Sequence, residues 1–219
     1  MEKLIIFGTG SIAQIANYYF QIDSNFRVAA FCIDRNYIQS HEFEGIPVVP
    51  FDEVITRFPP DEFKMFIALS YSKLNKVREQ KYYDAKKMGY ELVSYISSKC
   101  TNLSQYPMGD NCFIFEDNTI QPFVKIGNNV TIWSGNHLGH HSEICDHNFI
   151  SSHVVISGHC VIQSNSFLGV NSTIGHNVTI AKENIIGAGS IITKSTNFGE
   201  VFVPQKSIKL DKKSSEINL

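Results

Sequence analysis

The chain has 219 residues, a formal net charge of −2 at pH 7 and a hydrophobic fraction of 43%, which are ordinary values for a globular protein. It has no surplus of basic residues that would attract nucleic acid or an anionic membrane, and no apolar run of 18 residues that would span a bilayer. The first apolar stretch is too short for a signal peptide. The five cysteines include no CxxC pair, so we expect reduced thiols in a cytoplasmic protein.

Residues 1–98 are predicted to form an α/β domain. The predicted elements, in chain order, are a strand over Lys3–Phe7, a helix from Ser11 to Gln21, strands over Arg27–Ile33 and Ile46–Val49, a short helix over Phe51–Phe58, a strand over Phe63–Leu69, a helix over Ser72–Lys87 and a strand over Tyr90–Ile96. Ser11 is expected to cap the first helix. Alternating strands and helices indicate a parallel sheet covered on both faces, about half the size of a dinucleotide-binding fold.

Residues 99–219 are predicted to form a parallel β-helix followed by a C-terminal tail. Fourteen aliphatic residues stand six apart without a slip: Ile114, Ile120, Ile126, Ile132, Leu138, Ile144, Ile150, Ile156, Ile162, Leu168, Ile174, Ile180, Ile186 and Ile192. Such a short fixed period is typical of a β-helix, in which one hexad forms one face and three hexads form a turn. Asn or Ser two residues before the aliphatic, and Gly after it, are expected to adopt the unusual backbone angles of the corners.

Seven of the eight histidines lie between His137 and His176. His140, Gly158 and His176 are 18 residues apart, so they are expected to stack in successive turns about 4.8 Å apart. Gly158 would then leave a gap for a slender ligand beside the imidazole of His140, unless backbone geometry alone requires the glycine. An imidazole is well suited to accept a proton near neutral pH, and backbone N–H groups at a glycine corner could stabilise an oxyanion.

A second histidine series, spaced by six, consists of His141, His147, His153 and His159. Successive members fall on successive faces, and only His141 and His159 share one. Zinc needs three or four converging donors, so no metal site is expected within one chain. His147, His153 and His159 are expected to be solvated.

The chain resembles a known family at these residues. The hexad array, the segment Ile5-Ile6-Phe7-Gly8-Thr9-Gly10-Ser11 and the segment Phe31-Cys32-Ile33-Asp34-Arg35 resemble the hexapeptide-repeat acyltransferases, in particular the sugar acyltransferases typified by bacillosamine N-acetyltransferases and sialic acid O-acetyltransferases. The resemblance covers nearly the whole chain. It implies a left-handed β-helix, acetyl-CoA as donor with no metal, a nucleotide-sugar substrate, a role in surface polysaccharide biosynthesis, and a homotrimer with active sites between neighbouring prisms.

The resemblance also implies roles for individual residues of the β-helix. His140 occupies the position of the catalytic base, but the family's acidic neighbour is replaced by His141, which therefore competes as the base. Ser157 and Gly158 match contacts to the thioester end of the cofactor. Val170, Ala188 and Gly189 match positions along the pantetheine arm.

In the α/β domain the resemblance implies a substrate site. Gly10, Ser11 and Ile12 would approach the phosphates and sugar of the nucleotide sugar, and a helix N-terminus is suited to bind an anion. Asp34, Arg35 and Ser70 follow strands and would lie at the same carboxyl edge of the sheet, where open α/β sheets bind ligands. Each of these residues could equally serve only to form a turn.

The function expected from this resemblance is acetyl transfer to the amino group of a UDP- or dTDP-linked 4-amino-4,6-dideoxyhexose. O-acetylation of a sugar hydroxyl is the first alternative. A zinc hydratase of the carbonic-anhydrase type and a non-catalytic scaffold protein are further alternatives.

Overall fold

The structure is a computed structural model that describes residues 1–207, 209, 211, 213, 214 and 217. It consists of an α/β domain followed by a three-sided parallel β-helix, called the prism below. The α/β domain contains β1 (Glu2–Phe7), α1 (Ser11–Ile22), β2 (Phe26–Ile33), β3 (Glu42–Phe43), β4 (Ile46–Pro50), α2 (Val54–Arg57), β5 (Phe63–Ile67) and α3 (Lys76–Lys87). None of its described helices is long and apolar enough to cross a membrane.

The strands of the α/β domain form one sheet in the order β3-β4-β2-β1-β5. All pairs are parallel except the β3–β4 hairpin, which the sequence analysis did not predict. Helix α1 packs on one face of the sheet and α3 on the other, so the predicted two-sided arrangement is confirmed. Helix α3 begins four residues later than predicted, because Lys73, Leu74 and Asn75 have φ values of 50°, 50° and 64°, which an α-helix cannot contain.

Two predictions for this domain are wrong. Ser11 is the first helical residue rather than the cap, and the N-cap is Gly10, which makes no side-chain hydrogen bond. The segment Tyr90–Ile96 is not one strand of the sheet. Leu92 makes an isolated bridge to Met65. β6 (Tyr95–Ile96) instead pairs with the strand Phe113–Ile114 of the prism. The prism therefore begins before residue 98.

The prism has three faces. Face 1 contains β6, β8 (Phe113–Ile114), β11 (Thr131–Ile132), β14 (Phe149–Ile150), β17 (Phe167–Leu168), β20 (Ile185–Ile186) and β22 (Val201–Phe202). Face 2 contains β7 (Thr101–Asn102), β9 (Thr119–Ile120), β12 (His137–Leu138), β15 (Val155–Ile156), β18 (Thr173–Ile174) and β21 (Ile191–Ile192). Face 3 contains β10 (Lys125–Ile126), β13 (Glu143–Ile144), β16 (Val161–Ile162) and β19 (Thr179–Ile180).

The predicted aliphatic ladder is confirmed. All fourteen side chains belong to one core cluster and are between 0% and 6% exposed. Residues 18 apart pair in register, as Leu138 does with Ile120 and Ile156. Burial of each such side chain contributes about 1.5–3 kcal/mol, so the hexad period dictates both the register and the inside of the prism.

The residues with left-handed backbone angles at the corners are not the ones predicted. A left-handed residue lies three positions after each aliphatic from Ile114 to Ile186, and Asn111 begins the same series one hexad earlier. The series is Asn111, Asp117, Phe123, Asn129, Gly135, His141, His147, His153, His159, Asn165, Asn171, Asn177, Glu183 and Gly189. The Asn residues two positions before an aliphatic instead bond to backbone, as Asn118 Oδ1 accepts the N–H of Asn136 at 2.9 Å. The glycine after an aliphatic allows close stacking: a β-carbon on Gly139 would lie 2.5 Å from Gly158 N.

The α/β domain packs on face 1 of the prism. Tyr19 of α1 contacts Phe113 and Phe115, and the guanidinium of Arg78 in α3 donates to Asn148 O at 2.9 Å and to the Thr131 hydroxyl. The 2–3 corner, which joins faces 2 and 3, comprises residues 121–124, 139–142, 157–160 and 175–178. It therefore lies on the side of the prism away from the α/β domain.

Candidate active site

His140 is an exposed residue of the 2–3 corner. Its backbone N–H donates to Gln121 Oε1 at 2.8 Å, which holds the main chain from the preceding turn. Its Nδ1 lies 3.0 Å from Nδ1 of His141, so one imidazole donates to the other according to the tautomers. The structure thus places the imidazole of His141 within hydrogen-bonding distance of the imidazole of His140.

The space over Gly158 is not an empty gap. A β-carbon on Gly158 would lie 2.7 Å from Cε1 and 2.8 Å from Nε2 of His140. The imidazole of His140 itself fills the space that was predicted to admit a ligand, and that prediction is wrong. Gly158 is required because any larger residue would displace this ring.

The backbone N–H of Gly158 makes no hydrogen bond to any residue in the described part of the chain. At equivalent corners, a side chain 19 residues earlier accepts this bond: Gln121 accepts from His140 and Gln163 from Lys182. The residue 19 positions before Gly158 is Gly139, which has no side chain. The result is a free donor beside an imidazole, which is the arrangement that stabilises a developing oxyanion.

Two more histidines adjoin His140. The rings of His141 and His159 stack with centroids 4.8 Å apart, and the ring of His159 lies 5.1 Å from that of His140 and 5.4 Å from that of His176. Desolvation and the neighbouring imidazoles lower the pKa of His159. One ring nitrogen from each of His140, His141 and His159 lies within 4.8 Å of the others, so His140 adjoins the two members of the second series that were expected to share a face.

The other members of the histidine series lie elsewhere. His153 is exposed, as predicted, and its ring lies over Gly135. His147 was predicted to be solvated but is only 3% exposed. Its Nδ1 lies 2.9 Å from Asn129 Nδ2, and its Nε2 lies 3.3 Å from the hydroxyl of Tyr83 in α3. Burial lowers the pKa of His147.

The residues predicted to contact the cofactor lie on two different corners. Ser157 and Gly158 are on the 2–3 corner beside His140, whereas Val170, Ala188 and Gly189 are exposed on the 1–2 corner. The Ala188 N–H lacks a partner among the described residues, as the Gly158 N–H does. Face 2 separates the two corners within one chain. The residues in this cofactor prediction therefore do not form one site on a single chain.

The first group of predicted substrate residues lies at the start of α1. Gly10 and Ser11 are exposed and Ile12 is half-buried. Because no side chain caps α1, the first backbone N–H groups of the helix are open to an anion. Gly8 precedes them with a φ of 122°, and a β-carbon there would lie 2.8 Å from Ala68 O.

The second group lies at the same carboxyl edge. Asp34 follows β2 and accepts from Lys81 Nζ at 2.5 Å, while Arg35 pairs with Asp52 at 3.0 Å and with Glu53 at 2.5 Å. Ser70 is half-buried beyond the end of β5. The structure brings Asp34 and Ser70 to the edge where α1 begins, and it ties Arg35 to neighbouring carboxylates.

A cavity of about 190 Å³ opens beside this edge. Its lining includes Thr9, Ile33, Ile38, Gln39, Phe43 and Val48. The mixture of apolar and hydrogen-bonding groups suits a flat heterocycle. The β3–β4 hairpin forms much of its wall.

Residues 124–158 and 159–194 match the family described as bacterial transferase hexapeptide (six repeats). Residues 124–194 of the prism are therefore similar to the repeats of this family. Because such repeats form a left-handed β-helix, the predicted fold class is confirmed for this half of the chain. No curated protein matches the sequence at a significant level.

Solved structures share the fold of the whole chain, the α/β domain together with the prism. The acetyltransferase domain of PglB from Neisseria gonorrhoeae is 18% identical with a TM-score of 0.78, covering 92% of this chain and 96% of its own. A histidine-to-asparagine mutant of perosamine N-acetyltransferase from Caulobacter crescentus, solved with CoA and GDP-perosamine, is 21% identical with a TM-score of 0.81, covering 96% and 98%. WeeI from Acinetobacter baumannii is 20% identical with a TM-score of 0.78, covering 93% and 97%.

The sequence analysis did not predict several contacts at the 2–3 corner of the prism and at the carboxyl edge of the α/β sheet. Gln121 could have been found, because it stands 19 residues before His140 and points at the same corner of the next turn. His159 was expected to share a face with His141, but its contact with the ring of His140 was not predicted. Lys81 gives no such signal, since its partner Asp34 is 47 residues away.

Proposed function

We propose that this protein is an acetyltransferase that moves an acetyl group from acetyl-CoA to the amino group of a nucleotide-linked amino sugar. The observation that carries the proposal is the pairing at one corner of the exposed His140 imidazole with the unbonded N–H of Gly158, which is buried. The fold adds support, since solved structures of the same fold over nearly the whole chain include an acetyltransferase domain and a sugar N-acetyltransferase.

The proposed reaction uses one proton acceptor and one oxyanion donor. The sugar amine attacks the carbonyl carbon of the thioester as His140 takes the proton from the nitrogen. The Gly158 N–H donates to the oxyanion of the tetrahedral intermediate. The carbon–sulfur bond then breaks, the proton on His140 passes to the departing sulfur, and the products are the N-acetyl sugar and CoA. His141 holds the ring of His140 through the Nδ1 contact.

The separation of the cofactor residues supports assembly of the site from two chains. Between the two corners, face 2 exposes Val155 by 40% and Ile191 by 71%, and contact with a neighbouring subunit at this face would bury both side chains. We propose a homotrimer in which the 2–3 corner of one chain meets the 1–2 corner of its neighbour. The pantetheine arm would then pass from Ala188 and Gly189 of one chain to Gly158 of the next.

The substrate would be held by its nucleotide at the α/β edge. The uncapped start of α1, at Gly10, Ser11 and Ile12, suits the diphosphate, and the cavity beside Thr9 suits the base. Asp34, which directly follows the lining residue Ile33, could accept from a ribose hydroxyl, and Lys81, which donates to Asp34, could bind a phosphate oxygen. Because the α/β domain packs on face 1 and His140 lies on the 2–3 corner, the sugar would reach the base of a neighbouring chain, which again favours a trimer.

The experiment that tests the proposal is a substrate screen. Purified protein is mixed with acetyl-CoA and each of a panel of GDP-, UDP- and dTDP-linked 4-amino-4,6-dideoxyhexoses, and release of free thiol is followed. GDP is included because perosamine N-acetyltransferase is solved with GDP-perosamine. Thiol release that depends on the amino sugar, with an N-acetyl product by mass spectrometry, is the expected result. Sialic acid is tested in parallel as a hydroxyl acceptor, and transfer to it with none to any amine would contradict the proposal.

A further inference from the structure

The 2–3 corner carries an unusual concentration of imidazoles. His140, His141, His159 and His176 all lie on it, and the first three offer one nitrogen each within a 4.8 Å span. Acetyl transfer as proposed needs only His140, with His141 to orient it. His159 and the convergence of three rings are therefore left without a role.

The geometry of these three residues fits a tetrahedral transition metal. Nitrogens bound at 2.0–2.1 Å to one tetrahedral ion stand about 3.4 Å apart, so the nitrogens of His140, His141 and His159 need to close by little more than about 1 Å. The rings of His141 and His159, which stack with an interplanar angle of 11°, must also turn so that their lone pairs converge on the ion. All three side chains are exposed, so small rotations about their side-chain bonds meet little resistance. Uncharged imidazole nitrogens suit zinc, copper and nickel rather than magnesium or calcium.

We propose that His140, His141 and His159 of a single chain bind Zn²⁺ and that the bound ion inhibits acetyl transfer. Three protein ligands leave a fourth position open to water. The inhibitory part rests on the acetyltransferase function proposed above. A nitrogen of His140 that coordinates the ion cannot accept a proton from the sugar amine, and an ion held beside Gly158 would occupy the place of the thioester.

Binding is tested directly, on full-length protein without a polyhistidine tag and stripped with a chelator. Zn²⁺ is titrated in competition with a chromophoric chelator against the native protein, His159→Asn and His153→Asn. Asparagine is a conservative choice because residues 159 and 153 have φ values of 59° and 57°, and Asn171 and Asn177 already occupy equivalent left-handed positions. His153 lies on a different corner and serves as the matched control.

We expect one Zn²⁺ per chain for the native protein. His159→Asn should weaken binding at least tenfold, because loss of even an outer-shell partner costs about 10–100-fold, and His153→Asn should change it less than twofold. His141→Asn provides a second ligand deletion with the same expected loss. Native protein that binds no zinc, or equal binding by the native protein and both ligand variants, overturns the site.

Inhibition is measured separately. Each protein's acetyl-transfer rate with increasing Zn²⁺ is divided by its own rate without metal, and the half-inhibitory concentration should rise at least tenfold in His159→Asn. A zinc-saturated protein that transfers acetyl as fast as the stripped protein overturns the inhibitory role. If zinc binds as expected but no amino sugar is acetylated, the proposed function fails and the metal site stands. If acetylation occurs and zinc does not bind, only the metal site fails.

Discussion

The imidazole of His140 lies against the bare backbone of Gly158, 18 residues later in the sequence, so closely that a β-carbon there would be 2.7 Å from its Cε1. One residue thus supplies the proposed base, and the other supplies both the space for its ring and a free N–H. The two groups are aligned because successive turns of the prism stack in register. Disturbing either residue should therefore disturb both functions of the corner.

Gly158→Ala should lower kcat at least about 100-fold, the size of the loss of a general base, because the new methyl group displaces the imidazole. In a background that already carries His140→Ala, the same change should cost less than about threefold, since neighbouring residues that act together are not additive. Steady-state kinetics of the four proteins check this. Independent losses that multiply would show that Gly158 does not act through His140.

His140→Ala and His141→Asn should separate the two candidate bases. We expect His140→Ala to lose at least about 100-fold in kcat while acetyl-CoA binding and assembly persist. His141→Asn keeps a residue suited to the φ of 61°, removes only the orienting contact and should lose about tenfold or less. Rates and isothermal acetyl-CoA binding are measured in parallel. The reverse order of losses would assign the base to His141.

The sequence predicts the prism far better than it predicts its surroundings, for a physical reason. Every inward residue from Ile114 to Ile192 is set by its own hexad, so local pattern decides its burial. His147 has the same local position as His153, yet it is buried because α3, which begins 71 residues before it, covers it. Ser11 is not the N-cap because Gly10, one residue earlier, adopts the extended conformation that precedes the helix.

No local sequence pattern, of the kind that the hexads provide, reveals which residues meet across chains or across domains. Val170 and Gly158 were expected to form part of one site, although a separation of two hexads places them on different corners. The hexad pattern does not show which corner of a neighbouring chain each residue faces. The Tyr95–Ile96 strand has the composition of a sheet strand, and a single sequence does not reveal that its partner is Phe113–Ile114 of the prism. The family resemblance supplied these residues' roles but not their spatial relation.

Ile191→Asp should disrupt the proposed trimer. Ile191 is 71% exposed on face 2, and a carboxylate buried there without a partner would cost several kcal/mol at an interface. We expect a shift to monomer in size-exclusion chromatography with light scattering, together with loss of transfer activity. Phe198→Asp is the control, since Phe198 is 69% exposed beyond the last hexad. A trimer that survives Ile191→Asp would place the interface elsewhere.

Arg78→Met should weaken the attachment of the α/β domain to the prism. Arg78 is 1% exposed and donates to Asn148 O, to Asn75 Oδ1 and to the Thr131 hydroxyl. Burial lowers its pKa to about 10, so the side chain remains charged at neutral pH. Loss of the donors leaves buried acceptors unpaired, and we expect the free energy of unfolding to fall by about 1–3 kcal/mol.

The control for Arg78→Met is Arg57→Met, at an exposed residue of α2. It should change the free energy of unfolding by no more than about 0.5 kcal/mol. Urea denaturation at pH 7.5 measures both variants. Equal stability of the two would mean that the methionine packs well enough to offset the lost hydrogen bonds.

His147 should make the protein less stable in mild acid. Burial lowers its pKa, as do the positive charges of Arg78 and Lys76, while Glu79 and Asp146 act in the opposite direction. The unfolded chain therefore binds a proton near pH 6.5 that the folded chain resists. The resulting loss of stability begins as the pH falls through about 6.5 and continues toward the lower folded pKa, with a slope of at most about 1.4 kcal/mol per pH unit.

His147→Asn should remove this contribution without disturbing the corner. Asn129 and Asn165 hold the equivalent positions one turn before and one turn after, and Asn111 Nδ2 already donates to Asn129 Oδ1 at 2.8 Å. Asparagine at 147 would extend this ladder. The free energy of unfolding, measured between pH 7.5 and 5.5, should fall less steeply in His147→Asn than in the native protein. His153→Asn, at an exposed histidine, should keep the native slope, and identical slopes in all three would show that the folded protein protonates His147 as readily as the unfolded chain does.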